Sequence, residues 1–262
     1  MVKEFFQNNI SNRPKLPDAL KSEHLKKDAK PIIACIGTIK QFLETAGEKA
    51  TTKIYLSPDD PEMQNIDYYG DPAKLAENQH KNAGYNSYVI SAIDSLDKIS
   101  KSYMNCTGLI VTGQDRKTGE DVSFLSHQDP KYFLKNRDSI NQFSTDLSQR
   151  IKELKDRCIE GTIDAAVFGG NYFQSSSFLR QNPYAKKYIE SVKLIAGEVT
   201  RILGFEPAVI TGPKLTEGSD DIFYNNKERH LHIIRPEAGS PSSDSYAPGD
   251  IDNQKKKWYK DT

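Results

Sequence analysis

The chain has 262 residues, and its 36 basic side chains (Lys and Arg) balance its 36 acidic ones (Asp and Glu), so its formal charge is zero. That balance gives no electrostatic support for a nucleic-acid or anionic-membrane partner, because both bind clustered excess positive charge. No apolar run approaches the roughly 18 residues that cross a bilayer, and the amino terminus lacks the apolar core of a secretory signal peptide. We therefore expect a soluble protein.

The two ends of the chain differ in composition from its middle. Residues 1–30 are rich in Asn, Lys and Pro and are predicted to form a peripheral arm. Residues 237–262 are too polar and too rich in Pro, Gly and Ser to pack, so a flexible tail is predicted there. Residues 31–236 are predicted to form a single α/β domain.

Four helices are predicted between these ends, each from a capping signal followed by apolar residues at helical spacing. Their predicted extents are 38–49, 71–84, 138–161 and 182–204.

Seven short strands are predicted from β-branched and aromatic runs bounded by Gly, Pro or Asp. In chain order they are Thr52–Leu56, Ser87–Ile90, Gly108–Thr112, Val122–Ser126, Ile163–Phe168, Ala208–Thr211 and Leu231–Ile234. Neighbouring strands that read as hairpins, mixed with helical crossovers, favour a mixed sheet covered by helices, an α/β sandwich.

The most informative segment is the pair of apolar runs on either side of residues 115–119, which indicates a hairpin with a four- or five-residue loop. A hairpin centred between Arg116 and Lys117 places its apolar side chains on one face, whereas a slip by one residue scatters them. That register places Cys106 directly opposite His127, and opposed residues have Cβ atoms about 4.5–5.5 Å apart.

An imidazole at that separation from a thiol can take its proton and produce the thiolate nucleophile. We therefore interpret Cys106 and His127 as a catalytic dyad. The alternative is a buried structural cysteine that lies beside a histidine by coincidence, because cysteine is among the residues most often buried.

The long helix that follows leads into a strand ending Val167, Phe168, Gly169 and Gly170. A cysteine opening one strand, a histidine closing its hairpin partner, then a long helix and this strand resembles the chemoreceptor glutamine deamidases (CheD). Toxin deamidases of the cytotoxic necrotizing factor type share the Cys/His layout. The resemblance covers roughly residues 86–235.

The resemblance implies an α/β/α sandwich and a cysteine amidohydrolase that converts a glutamine side chain of a partner protein to glutamate without metal or cofactor. It implies that Cys106 is the nucleophile and His127 the general base. The families commonly carry a threonine six residues before the cysteine, which helps to orient the histidine. Ser100 occupies that position here and keeps the hydroxyl.

The expected partner is a protein substrate rather than a nucleic acid or a membrane, and the oligomeric state is not predicted. The expected location is cytoplasmic, or that of a bacterial effector or toxin that acts in another cell's cytosol. The segments outside the family-like core, residues 1–85 and the tail, would recognise the partner protein and suit such an effector. Two alternatives stay open. One is a related thiol hydrolase such as a peptidase, transglutaminase or methylesterase, and the other is a non-catalytic binding module on the same scaffold.

Other chemistry-bearing residues receive simpler interpretations. His230 and His232 alternate on a predicted strand as a metal pair would, but no third ligand has convincing spacing, so a solvent-facing pair is favoured. Cys35 lies in an apolar run and Cys158 ends a helix, so both are predicted to be packing residues. Three widely spaced cysteines make a poor disulfide framework and indicate a reducing compartment.

Overall fold

A computed structural model describes residues 23–38, 63–66, 88–103, 106–169, 183–210 and 220–235. The helix predicted at 71–84, the strand predicted at Thr52–Leu56 and the predicted tail lie outside the described residues. Thr38, the predicted start of the first helix, is instead the last residue of a strand, and the rest of that helix is also outside them. The predicted domain boundaries stay predictions.

The described elements comprise ten strands and three helices. The strands are β1 (Ile33–Thr38), β2 (Met63–Asn65), β3 (Tyr88–Ile90), β4 (Asp97–Tyr103), β5 (Thr107–Gln114), β6 (Asp121–Gln128), β7 (Asp164–Gly169), β8 (Ala208–Ile210), β9 (Asp220–Asn225) and β10 (His230–Arg235). The helices are α1 (Pro130–Phe133), α2 (Arg137–Arg157) and α3 (Pro183–Leu203). The helices predicted at 138–161 and 182–204 are thus confirmed as α2 and α3.

The α/β class is confirmed, but the prediction of one mixed sheet is wrong because the strands form two. The front sheet has the order β3-β6-β5-β7-β8, and the back sheet has the order β1-β10-β9-β4-β2. Each mixes parallel and antiparallel neighbours, with β7 and β8 parallel in the front sheet and β1 and β10 parallel in the back sheet.

The two sheets pack face to face, and α2 and α3 cover the other face of the front sheet. The layer between the sheets includes Ile110, Leu125 and Phe168 from the front sheet and Tyr224 and Leu231 from the back sheet. The layer under the helices is the larger apolar cluster and includes buried residues of both helices and of the front sheet. Among the described residues the order of layers is therefore helix, sheet, sheet, and the second helical layer of the predicted sandwich is not among them.

Helix α2 shows why the helices were predictable. It begins after Asn136, whose side chain accepts a hydrogen bond from the backbone N–H of Ser139 at 2.9 Å, the usual chemistry of an N-cap. Its apolar positions recur every three or four residues. Ile140, the first of the five residues predicted to face inward, is only partly buried, and the other four are buried. They are Phe143, Leu147, Ile151 and Leu154. Cys158 caps its C-terminus and is fully buried, so the prediction of a packing role is confirmed.

The hairpin of β5 and β6 is confirmed, but its predicted register is wrong by two residues. Gly108, not Cys106, lies opposite His127. The reason lies in the loop, where the N–H of Asp115 donates to the carbonyl of Glu120 at 2.8 Å and Gly119 adopts a φ of +74°. This hydrogen bond centres the loop between Lys117 and Thr118. Because side chains alternate with period two, a shift by two leaves every side chain on its predicted face.

Residues 23–30, the last part of the predicted arm, contact the domain. The ring of His24 stacks on Phe205 with centroids 3.5 Å apart, and the N–H of Lys26 donates to the carbonyl of Gly161 at 2.8 Å. The described part of the predicted arm therefore packs beside the loop that follows α2.

Candidate functional site

Cys106 and His127 lie at the open end of the hairpin, on the face of the front sheet that meets the back sheet. Cys106 directly precedes β5, and His127 is the seventh residue of β6. Gly108 is opposite His127, so Cys106 is a diagonal neighbour, and diagonal neighbours in a sheet are about 7–8 Å apart. Cys106 is 5% exposed and His127 is fully buried, so the pair lies within the layer between the sheets.

Ser100 reaches His127 from the back sheet. Its Oγ lies 3.0 Å from Nδ1 of His127. The same Oγ donates its hydroxyl proton to the backbone carbonyl of Ile66 at 2.6 Å. A serine has one hydroxyl proton, so Ser100 accepts a hydrogen bond from Nδ1–H of His127. The proton of the neutral ring is then on Nδ1, and Nε2 carries the basic lone pair.

Tyr103 covers the imidazole and was not predicted from the sequence. Its ring stacks on that of His127 with centroids 3.8 Å apart and an interplanar angle of 15°. Its hydroxyl donates to the carbonyl of Ser126 at 3.2 Å, which fixes the ring over the β6 backbone. The contact joins the last residue of β4 to β6. An aromatic residue three positions before a cysteine does not by itself predict such stacking.

Gly169, the first glycine of the predicted Gly169–Gly170 pair, packs against the backbone of Cys106. Gly169 pairs with Thr107 at the end of β7, and its φ is +93°. A Cβ at this position would lie 2.8 Å from the carbonyl oxygen of Cys106 and 2.9 Å from the ring of Tyr103. Glycine is required for this close approach and this backbone conformation. Gly170, the second glycine of the predicted pair, lies outside the described residues.

Helix α3 supports the same backbone from the opposite face of the front sheet. The hydroxyl of Tyr188 donates to the carbonyl of Gly169 at 2.8 Å. The hydroxyls of Ser191 and Thr107 are 2.6 Å apart, and Nε2 of Gln128 donates to the Thr107 hydroxyl at 3.2 Å. Sequence analysis identified only the apolar face of this helix and missed its two hydroxyls. Side chains of α3 therefore fix Gly169 and Thr107, which are both neighbours of Cys106.

Burial sets the charge states of the pair. It raises the pKa of the Cys106 thiol well above its usual value, and the nearby carboxylate of Asp129 raises it further. Burial also lowers the pKa of His127 to about 3. Both groups are therefore neutral near pH 7, and the lowered pKa makes the buried imidazole of His127 a weaker base than one in water.

A second thiol and imidazole lie together on the back sheet. Cys35 of β1 is directly paired with His232 of β10. His232 is 6% exposed, so the expectation of a solvent-facing histidine is wrong at this position. Its pKa is lowered to about 4 by burial and by His230, whose ring centroid is 6.1 Å away. No group of three or more His, Cys, Asp or Glu residues within the described ranges could hold a metal ion.

In comparisons with known proteins, no family model matches the chain, and no curated protein matches it in sequence. None of the helices in the described part of the chain is long and apolar enough to span a membrane.

Proposed function

We propose that the chain is a cysteine-dependent protein glutamine deamidase, with Cys106 as nucleophile and His127 as general base. The observation that carries the proposal is the 3.0 Å contact between Ser100 Oγ and His127 Nδ1. This contact leaves Nε2 as the basic nitrogen of a histidine that shares a face with Cys106. The resemblance to the chemoreceptor deamidases supplies the reaction, since those families use the same three positions.

The proposed reaction needs a proton carrier and a nucleophile. As the Cys106 sulfur attacks the carboxamide carbon, His127 takes the thiol proton, and it then gives that proton to the departing ammonia. A thioester with Cys106 remains. Water, deprotonated by the same histidine, attacks the thioester and releases glutamate. Both groups start neutral, so in the proposed sequence the transfer of the thiol proton to His127 accompanies the attack of the sulfur rather than preceding it.

The decisive experiment compares matched cysteine variants. Wild-type protein, Cys106→Ala and Cys35→Ala are expressed in cells, and glutamine side chains of the cellular proteins are searched by mass spectrometry for conversion to glutamate. Converted sites should occur with the wild type and with Cys35→Ala and be lost with Cys106→Ala, because removing a nucleophile removes covalent catalysis. Conversion that persists in Cys106→Ala would refute the proposal.

A binding module on the same scaffold is the second candidate, and a specific observation favours it. Cys106 is 5% exposed and its thiol pKa is raised, which is the ordinary condition of an inert structural cysteine. This candidate predicts that Cys106→Ala binds the same partners as the wild type and that no glutamine is converted by either protein. The related thiol hydrolases, namely peptidase, transglutaminase and methylesterase, are separated from a deamidase by their products.

A further inference from the structure

Asp129 occupies the position facing Cys106 at the open end of the hairpin. The pairing of β5 with β6 ends with Thr107 opposite Gln128, and the next residues outward are Cys106 and Asp129. The backbone of Asp129 is still extended, with φ −97° and ψ 112°. The alternation of side chains therefore continues through it and places Asp129 on the face that carries His127 and Cys106.

The two carboxylate oxygens of Asp129 have different surroundings. Oδ1 accepts a hydrogen bond from the backbone N–H of Lys131 at 2.8 Å and so caps α1. None of the hydrogen bonds among the described residues reaches Oδ2. Lys131 and Lys187 are the nearby cations and lower the pKa of Asp129, but its burial raises that pKa by more. The carboxylate also raises the pKa of the Cys106 thiol, as a negative charge near a thiol does.

A carboxylate beside a nucleophile discriminates between acyl groups by their charge and their donors. A primary carboxamide is neutral and offers two N–H donors, whereas an ester offers none and a carboxylate repels a second carboxylate. Hydrogen bonds to a charged acceptor are the stronger kind. A site whose acceptor is left unpaired by a substrate rejects that substrate strongly.

We propose that Asp129 is a specificity residue that selects a neutral primary carboxamide at Cys106, with its Oδ2 accepting a hydrogen bond from the amide NH2 group. The inference rests on the proposed function for the reaction that the amide undergoes. It separates a deamidase from a methylesterase on this scaffold, because an ester cannot donate to Asp129. It also favours release of the product, because the new glutamate carboxylate is repelled by the carboxylate of Asp129.

The test uses two small reagents that differ only in the group under question. Iodoacetamide carries a primary carboxamide and iodoacetate carries a carboxylate, and both alkylate a cysteine sulfur with loss of iodide. Native protein is treated with each reagent, and labelling rates of Cys106 and Cys35 are measured on their separate peptides by mass spectrometry. The ratio of the two rates at one thiol cancels that thiol's own reactivity. The Cys35 ratio therefore serves as an internal reference.

We expect the amide-to-acid ratio at Cys106 to exceed that at Cys35 by at least about tenfold, the factor of one hydrogen bond to a charged group. In Asp129→Ser the ratio at Cys106 should fall to the value at Cys35, because serine keeps the cap of α1 but removes the carboxylate. Asn136→Ser makes a similar change at the cap of α2 and should leave the ratio unchanged.

Asp129→Asn keeps the cap equally well and provides the answer if Asp129→Ser does not fold. The inference is overturned if either folded variant keeps the wild-type ratio, or if native Cys106 reacts with neither reagent, since a closed site selects nothing. Measuring the amide-to-acid labelling ratio requires no catalytic turnover. Its outcome is therefore separate from that of the glutamine-conversion experiment. Glutamine conversion that depends on Cys106 alongside an unchanged ratio in Asp129→Ser would sink the role of Asp129 alone. A ratio that collapses in the absence of glutamine conversion would sink the reaction alone.

Discussion

Among the described residues, two cysteines each lie near a histidine of a neighbouring strand, and the closer pairing is not the one whose imidazole contacts Ser100. Cys35 and His232 are directly opposed on β1 and β10 of the back sheet. Cys106 and His127 are diagonal neighbours on the front sheet. By strand register alone, Cys35 and His232 would be the better dyad.

The two imidazoles contact different neighbours. Nδ1 of His127 is 3.0 Å from the hydroxyl of Ser100, which fixes the tautomer. His232 lies near the rings of Phe223 and His230, with centroids 5.9 Å and 6.1 Å away. Strand register therefore favours Cys35 and His232, whereas the hydroxyl contact of His127 is a separate reason to prefer Cys106 and His127 as the proposed dyad. The back-sheet pair provides a matched control within the same molecule.

The largest difference between the two pairs is expected in the rate of glutamine conversion when each histidine is replaced by glutamine. His127→Gln removes the proposed base and should lower the rate of glutamine conversion about 10²- to 10⁴-fold, the usual contribution of general acid–base catalysis. His232→Gln should leave that rate unchanged. Both rates are measured by mass spectrometry on one converted glutamine. Equal losses of rate in the two variants would indicate that both histidines act through folding and that neither is the base.

A smaller effect is expected on stability, and it involves both histidines. The pKa of His127 is lowered from 6.5 to about 3 and that of His232 from 6.5 to about 4. The unfolded chain thus binds protons below pH 6.5 that the folded chain does not. The free energy of unfolding should therefore fall as the pH is lowered from about 6.5 towards 4.

Each histidine contributes a slope of at most about 1.4 kcal/mol per pH unit. Urea titrations from neutral pH down to about pH 4 measure it, and either glutamine variant should show a shallower decline than the wild type. A variant that declines as steeply as the wild type would show that its histidine is not held neutral by burial.

The smallest effect is expected at Ser100, which acts through His127. Ser100→Ala should lower kcat about three- to tenfold with KM unchanged, because one hydrogen bond that orients the base is lost. Ser100→Thr keeps the hydroxyl and should restore kcat. Steady-state kinetics on a glutamine peptide from a converted protein provide both constants. A loss of kcat in the threonine variant equal to that in the alanine variant would argue against an orienting hydroxyl.

The difference between the sheets also explains how much of the fold was predictable. Every predicted strand that falls on described residues is present, and five of these six belong to the front sheet, where apolar runs are continuous. Four of the five back-sheet strands were not predicted, and in β4 a buried polar residue explains why. Lys98 is fully buried in β4 and its Nζ donates to Asp94 Oδ1 at 2.6 Å, so a position that reads as solvent-facing is internal.

The alternation of side chains along the strands predicts part of the candidate site. Period two places Cys106 and His127 on one face, and that conclusion survives the two-residue error in register. The register itself depends on the hydrogen bonds of the loop at Asp115 and Gly119, which strand patterns do not encode. The stacking of Tyr103 on His127 joins different sheets, and only tertiary packing produces it.

The environment of Cys106 also has a consequence for the survival of the protein under oxidative stress. Peroxide oxidises cysteine through its thiolate, and a thiol kept protonated by burial and by a neighbouring carboxylate reacts slowly. Cys35 is the more exposed of these two free thiols. Oxidation should therefore reach Cys35 first and leave the Cys106 thiol reduced, so the burial that raises its pKa would also protect the proposed nucleophile from peroxide.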